Sequence, residues 1–176
     1  MKTIITNVYQ FEELNEAGKQ KAIETNYFIN IDADSKWWRD VYSDAENVGI
    51  KITDFDLDPC NSITIEFEVS ELTTVELIIA NWGEDCEGVK ECKEFLRNYD
   101  LIGGENYDSE TATEDEHDKV LEAIEMLEDD FKMTLERVFL NLLESDYEYR
   151  TSEPAIIETF KANDYHFTSD GIMRNS

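Results

Sequence analysis

Five carboxylates recur every three or four residues in one stretch of the sequence, and no other pattern in the chain is better suited to chemistry. On an α-helix this spacing places all five on one side, where they present a continuous negative surface. Such a surface attracts cations, above all the lysine and arginine side chains of a basic protein. We call this set the acidic stripe. It consists of Asp115, Asp118, Glu122, Glu125 and Asp129, and Glu136 resumes the pattern after Lys132.

A single long helix, spanning about residues 113–146, is predicted to carry the acidic stripe. Thr113 and Glu116 have the spacing of a capping box, which favours a helix start at this point. After Phe131 the residues are apolar nearly all round the helix, so we expect its second half to be buried on most sides. An apolar seam recurs in steps of three and four along the whole length: Val120, Ile124, Leu127, Phe131, Leu135, Val138 and Leu142.

The acidic stripe is expected to weaken the helix that carries it. Like charges three or four residues apart cost roughly 0.2 to 0.5 kcal/mol per pair, so the four contiguous pairs subtract about 1 to 2 kcal/mol. The whole chain is also strongly acidic, with 42 Asp and Glu against 15 Lys and Arg and a net charge of −27. This charge disfavours free nucleic acid and anionic lipid as partners and favours basic proteins. The acids serve either solubility or binding.

Catalytic and metal-binding patterns have little support in the sequence. The two histidines, His117 and His166, have no motif partner, and no nucleotide-binding, hydrolase or metalloprotease motif is present. Asp54, Asp56 and Asp58 match the start of a calcium loop, but Pro59 and Ile65 stand where that loop needs glycine and a bidentate glutamate. We therefore expect no enzymatic activity, no cofactor and no specific metal site. The three aspartates are interpreted as a secondary acidic edge.

The remaining periodicity predicts an α+β fold, with a small antiparallel sheet packed by several helices and the long helix as its spine. Two strands are predicted at 50–57 and 62–69, the second from a clear alternation of apolar and polar residues, and a short linker joins them as a hairpin. We expect one domain over residues 1–176, with a flexible acidic connector at 101–112. Further helices are predicted at 11–23, 35–48, 71–82, 86–99 and from 152. A first strand is predicted at 2–9, and a final strand pair at 165–167 and 172–173.

Cysteine use and hydropathy suggest where the protein works. Cys60, Cys86 and Cys92 are odd in number and lack a metal-binding or redox spacing. The sequence shows no signal-peptide pattern and no apolar run of membrane-spanning length. These features predict a cytoplasmic protein with reduced thiols and no membrane partner.

Several segments outside the stripe carry a family resemblance. They are FEELNEAGKQKAI at residues 11–23, the pair Trp37-Trp38, GIKITDFDLD at 49–58 and GEDCE at 83–87. In these segments the chain resembles small acidic accessory proteins of tailed bacteriophages and prophages. The resemblance brings no catalytic motif. It implies action inside a bacterial host, where such accessory proteins often oppose defence systems and acidic ones often occupy nucleic-acid-binding surfaces.

Two functional hypotheses follow. In the first, the acidic stripe binds a basic surface of a host protein, one that normally holds nucleic acid, and inhibits that protein without catalysis; literal DNA mimicry is its narrower form. In the second, the chain is a structural protein that assembles with itself. Phe139, Leu140 and Leu143 would then pair two copies as a homodimer, and the acidic half would keep the assembly in solution.

Overall fold

The computed structural model of the chain describes residues 7–31, 36–103 and 113–174. It confirms the predicted α+β class, because helices dominate and a small antiparallel sheet lies among them. After a 3-10 turn at Phe11–Glu13, the elements are α1 (Glu16–Thr25), α2 (Arg39–Asn47), β1 (Ile50–Asp56), β2 (Ser62–Phe67), α3 (Glu71–Asn81), α4 (Glu87–Ile102), α5 (Glu114–Thr151), α6 (Glu153–Ala162), β3 (His166–Phe167) and β4 (Met173–Arg174).

The chain forms two compact units, whereas the sequence suggested one domain. The first unit combines Met1–Trp38 with Ser145–Ser176, and the second is Arg39–Glu144. Helix α5 contributes residues to both, and the acidic stripe lies in the second. Of the predicted connector, Leu101 and Ile102 belong to α4 and Gly103 caps that helix, while residues 104–112 lie outside the described part of the chain, as does most of the predicted strand at 2–9.

Three phenylalanines form the centre of the first unit. The ring of Phe160 in α6 lies 5.5 Å from that of Phe11 and 4.9 Å from that of Phe167, measured between centroids. Tyr9 and Phe167 exchange two backbone hydrogen bonds of 2.8 Å, which brings the start of the described chain to β3. Ser152 caps α6 by accepting from the N–H of Ala155, as the Ser-Glu-Pro sequence predicts.

A close approach of two backbones explains one glycine of the first unit. Gly171 has a φ of +82°, and a β-carbon there would lie 2.2 Å from the carbonyl oxygen of Gly18 in α1. No other residue fits this position, because both the left-handed backbone and the missing side chain are required. The turn between β3 and β4 is thereby packed directly on α1.

The second unit is built on the β1–β2 hairpin. Its strands are antiparallel, with Ile50 opposite Phe67 and Asp56 opposite Ser62, and the register shifts between Ile52 and Asp54. Burial alternates along most of β2, as the sequence predicts, and over the first four residues of β1, so that one face packs inward. Gly49, with a φ of +75°, ends the helical turn before β1. The buried isoleucines are Ile50, Ile52, Ile63 and Ile65.

Helix α5 enters this core only from Phe131 onward. The Phe131 ring lies 4.4 Å from that of Phe95 in α4 and 6.4 Å from that of Phe67 in β2, and Phe139 lies 5.6 Å from the ring of Trp82. The other buried apolar side chains of this part of α5 are Leu135, Val138 and Leu143. These contacts, rather than helix propensity, hold the second half of α5.

Two predictions about which side chains of the long helix are buried are wrong. Leu142, placed in the apolar seam, is 40% exposed, and Met133, expected to be covered, is 58% exposed. The buried line runs instead through residues 131, 135, 139 and 143, in steps of four. Four residues turn the helix by about 400°, so the buried face shifts by about 40° at each step and winds around the helix. Leu143 lies on this face, and Leu142 lies about 100° away from it around the helix axis. The helix also ends later than expected, at Thr151.

Candidate partner-binding surface

All five carboxylates of the acidic stripe are exposed on α5. The helix begins where the sequence predicts. The Thr113 N–H donates to Glu116 Oε2 over 3.0 Å, and the Glu116 N–H donates to Thr113 Oγ1 over 3.4 Å, which confirms the capping box. At a rise of 1.5 Å per residue, the fourteen steps from Asp115 to Asp129 give the stripe a length of about 21 Å.

The acidic stripe is almost free of internal compensation. Asp115 accepts from Lys119 Nζ over 2.8 Å, an exposed pair four residues apart. Within the described residues, the carboxylates of Asp118, Glu122, Glu125 and Asp129 take part in no ion pair and no side-chain hydrogen bond. An exposed carboxylate without a partner keeps its full charge available to an approaching cation. Four of the five positions therefore face solvent with their charge unneutralised.

Glu136, which the sequence joined to the stripe, has a different role. It is half-buried, and its Oε1 accepts from the backbone N–H of Ile65 in β2 over 3.3 Å. Ile65 lies opposite Ile52, next to the register shift in the hairpin, and its side chain is fully buried. Glu136 therefore satisfies a backbone donor of the sheet, and we correct its assignment from partner contact to structural support.

Glu128, which belongs to no pattern in the sequence, strengthens the negative potential beside the acidic stripe. Glu128 is half-buried, and burial raises its pKa, with repulsion from Glu71, Glu125 and Asp129 adding to the shift. Glu125 and Asp129 belong to the stripe, and their proximity follows from helical spacing. Glu71 comes from α3, so only the fold could reveal its contribution. Four carboxylates from two helices thus share this part of the surface.

Two exposed methionines lie beside the acidic stripe, and no pattern in the sequence places them on the surface. Met126 is 63% exposed and Met133 is 58% exposed. At 100° per residue, Met126 lies about 40° from Glu122 around the helix and Met133 only about 20° from Met126. The stripe is therefore bordered by flexible apolar side chains, which adapt readily to different binding partners.

The three aspartates of the secondary acidic edge lie at the end of β1 and in the loop that follows it. Asp54 and Asp58 are exposed, whereas Asp56 is half-buried and accepts from the Asp58 N–H over 2.9 Å. Burial raises the pKa of Tyr42, and the negative charge of Asp54 adds to it. In the described part of the chain, no three or more His, Cys, Asp and Glu side chains are grouped so that they could hold a metal ion.

The histidines and cysteines lie in separate segments of the chain. His117 lies in the first turn of α5 and His166 in β3, and these positions belong to different units. Cys60 is exposed, whereas Cys92 is buried. Burial raises the pKa of the Cys92 thiol to about 12, with smaller contributions from Cys86 and Glu91, so this thiol stays protonated and unreactive.

The surface suggested for self-association is absent at two of its three positions. Phe139 and Leu143 are 0% exposed within the chain, and Leu140 is half-buried. Phe139 packs on Trp82, so neither buried side chain can reach a second copy without opening the core. The structure thus corrects the expectation that these three residues form an apolar patch.

Comparison with protein-family models, with curated proteins and with solved structures finds no match for this chain. Across residues 7–31, 36–103 and 113–174, none of the helices combines the length and the apolar character needed to span a membrane. Inference about function therefore depends on the chemistry of the surface itself.

Proposed function

We propose that this chain is an acidic binding protein that occupies a basic, nucleic-acid-binding surface of another protein and thereby blocks it. The observation that carries the proposal is the exposure of the acidic stripe, in which four of five carboxylates have no ion pair or hydrogen bond within the described residues. A basic partner would supply the missing counter-charges. Long-range attraction of this kind speeds association and aligns the two surfaces.

Energetics favour a binding role over simple solubility. Acids spread over the surface would keep the protein in solution without placing like charges three and four residues apart, where each pair costs roughly 0.2 to 0.5 kcal/mol. The stripe also borders Met126 and Met133, which are exposed. Exposed methionines add nothing to solubility, but they supply the apolar contact that charged surfaces lack in protein interfaces.

Mimicry of duplex DNA is a narrower version of the same proposal. Five carboxylates over about 21 Å compare with about six phosphates of one strand over that length, at 3.4 Å per phosphate. The charge density is similar, while the spacing differs. A protein that binds the phosphate backbone through flexible lysine and arginine side chains would tolerate this difference.

The proposed setting is a bacterial host that carries a phage or prophage. This setting is supported by the resemblance of residues 11–23, Trp37-Trp38, 49–58 and 83–87 to accessory proteins of tailed phages. Host defence nucleases and their relatives have basic nucleic-acid-binding surfaces, so they form the class of target that the acidic stripe fits best.

Charge reversal with a matched control tests the proposal. The stripe variant Glu122→Lys, Glu125→Lys and Asp129→Lys should lower low-salt capture of basic proteins from bacterial lysate by at least about tenfold, because three attractions become repulsions. The control Glu46→Lys, Glu76→Lys and Glu158→Lys changes net charge equally at exposed sites on α2, α3 and α6. Equal capture by both variants would remove the acidic stripe from the proposed function.

Competition by nucleic acid tests what the partner surface normally holds. If that surface binds nucleic acid, a duplex DNA oligonucleotide should release the captured protein from the wild-type chain. Capture should also fall as salt rises, because exposed charges are screened beyond about 10 Å at 0.1 M. Capture that neither DNA nor salt disturbs would contradict the proposal.

A further inference from the structure

A second surface on α5 has a different character from the acidic stripe. Between α4 and α5 lies a groove of about 180 Å³, which we call the α4–α5 groove. We call its apolar lining residues, Phe95, Leu127 and Phe131, the floor, and its acidic ones, Glu91, Glu94 and Asp130, the rim; Asn98 and Thr134 complete the lining. Leu127 lies two residues after Glu125 and thus about 160° away around the helix, so the groove and the stripe face in nearly opposite directions.

The size of the α4–α5 groove limits what it can hold. Pockets for whole organic ligands usually measure about 300 to 1,000 Å³, so about 180 Å³ suits a single long side chain. The floor is anchored, because Phe95 and Phe131 are 3% and 4% exposed and their ring centroids are 4.4 Å apart. An occupant would therefore enter a preformed slot.

Charge complementarity identifies the occupant. The apolar floor fits an aliphatic stem, and the carboxylates of Glu91, Glu94 and Asp130 around it fit a cationic head. The rim already shows this pairing once, because Arg97 of the chain itself contacts Glu94 over 3.3 Å at an exposed position. The guanidinium group has five N–H donors in a planar fork, whereas an ammonium has three on a point charge, so carboxylates from two helices favour arginine.

We propose that the α4–α5 groove binds one arginine side chain of a partner protein, with its stem against Leu127 and its guanidinium between Glu91 of α4 and Asp130 of α5. This site is independent of the acidic stripe, and it gives α5 a second contact surface. The acidic stripe alone distinguishes partners by their charge. A slot for one side chain also requires that the partner has an arginine at the matching position.

Titration with small arginine derivatives, followed by the backbone amide signals of the labelled protein, tests the groove directly. N-acetyl-arginine-methylamide should shift the signals of Phe95, Leu127 and Phe131 and reach saturation. The citrulline derivative has the same shape without the charge and should bind at least about tenfold more weakly, and the lysine derivative about threefold more weakly. Lysine binding as tight as arginine, or shifts confined to the acidic stripe, would overturn the assignment.

A pair of double variants separates the groove from overall charge. Glu91→Gln with Asp130→Asn should weaken arginine binding about threefold to tenfold, because both rim charges are lost. Glu46→Gln with Glu76→Gln removes the same charge from exposed positions on α2 and α3 and should leave the affinity within about twofold. Equal weakening in both doubles would show attraction by net charge alone and would refute the site. Each variant's amide spectrum verifies that the fold persists.

Discussion

The two halves of α5 have the same secondary structure and opposite surroundings. From Glu114 to Asp130 no side chain of the helix is fully buried, and all acids of this half except the half-buried Glu128 are exposed. From Phe131 to Thr151 six side chains are buried: Phe131, Leu135, Val138, Phe139, Leu143 and Thr151. One continuous helix therefore combines a segment that packs in the core with a segment whose side chains stay outside the core. The packed second half therefore fixes the position of the exposed first half.

The two halves also contribute to the stability of the fold with opposite signs. Each large apolar side chain buried after Phe131 contributes about 1.5 to 3 kcal/mol of transfer free energy. The acidic stripe instead costs about 1 to 2 kcal/mol through repulsion between its four contiguous pairs. A region that lowers the stability of its own helix and remains exposed is better explained by binding than by folding.

Identical leucine truncations should destabilise the protein strongly in one half of α5 and only slightly in the other. Leu135→Ala removes a side chain that is 0% exposed, and we expect a loss of about 2 to 5 kcal/mol in the free energy of unfolding. Leu121→Ala changes a leucine that is 46% exposed and should cost less than about 1 kcal/mol. Urea denaturation of both variants makes this comparison, and similar losses would contradict it.

Removal of the carboxylate of Glu136 should destabilise the protein, although Glu136 continues the spacing of the stripe. Glu136→Ala leaves the Ile65 N–H without its acceptor, which should cost about 1 to 3 kcal/mol. Glu136→Gln retains an acceptor oxygen and serves as the matched control, with a smaller loss. Faster hydrogen exchange at the Ile65 amide in the alanine variant would locate the effect. Exchange there at the wild-type rate would count against the structural role.

Neutralising the acidic stripe should stabilise the protein. The variant Glu122→Gln, Glu125→Gln and Asp129→Asn removes three of the four contiguous repulsive pairs, for a gain of about 0.6 to 1.5 kcal/mol at low salt. The gain should shrink at high salt, because exposed charges are screened. Thermal unfolding at two salt concentrations measures it. A variant less stable than the wild type would show that the stripe contributes to folding after all.

Two carboxyls of α5 should respond to pH in opposite ways. Glu128 has a raised pKa, chiefly from burial, so its charge opposes folding at neutral pH and this opposition disappears as the pH falls below the ordinary value of 4.5. Glu128→Gln should therefore raise the melting temperature at neutral pH and have no such effect well below pH 4.5.

Glu116 provides the contrast. Hydrogen bonds from the backbone and side chain of Thr113 lower its pKa, so its charge stabilises the helix start above the ordinary value of 4.5 and loses this effect as the pH falls through the lowered pKa. Glu116→Gln should lower the melting temperature at neutral pH, and the difference from wild type should vanish in acid. Parallel pH profiles for the two variants would contradict these opposite signs.

Local chemistry made much of the fold predictable from the sequence. The Thr113 capping box, the Gly49 stop and the alternation along β2 depend on neighbours within a few residues, and each is present in the structure. The rotation of the buried face in α5 was not predictable, because it depends on how α3, α4 and the hairpin pack around the helix. The seam was therefore placed on Leu142 instead of Leu143.

In the candidate site, too, only the features that depend on local spacing were predictable from the sequence. Helical spacing alone brought the five carboxylates of the acidic stripe together. Spacing failed for Glu136, because only the hairpin shows that Ile65 offers its N–H to this carboxylate. The self-assembly hypothesis places Phe139 and Leu143 against a second copy, because their apolar character does not show whether the chain itself covers them. The α4–α5 groove needs residues of two helices more than 30 positions apart in the sequence, which no local pattern connects.

Capture by the neutral variant Glu122→Gln, Glu125→Gln and Asp129→Asn tests most directly whether the exposed half of α5 exists for binding. Tagged wild-type and variant proteins would be compared for capture of the same basic partner at low salt, on samples whose unfolding free energies are measured in parallel. We expect capture to fall by at least about fivefold while stability rises, because the same charges attract the partner and repel one another. Undiminished capture by the stabilised variant would contradict the account.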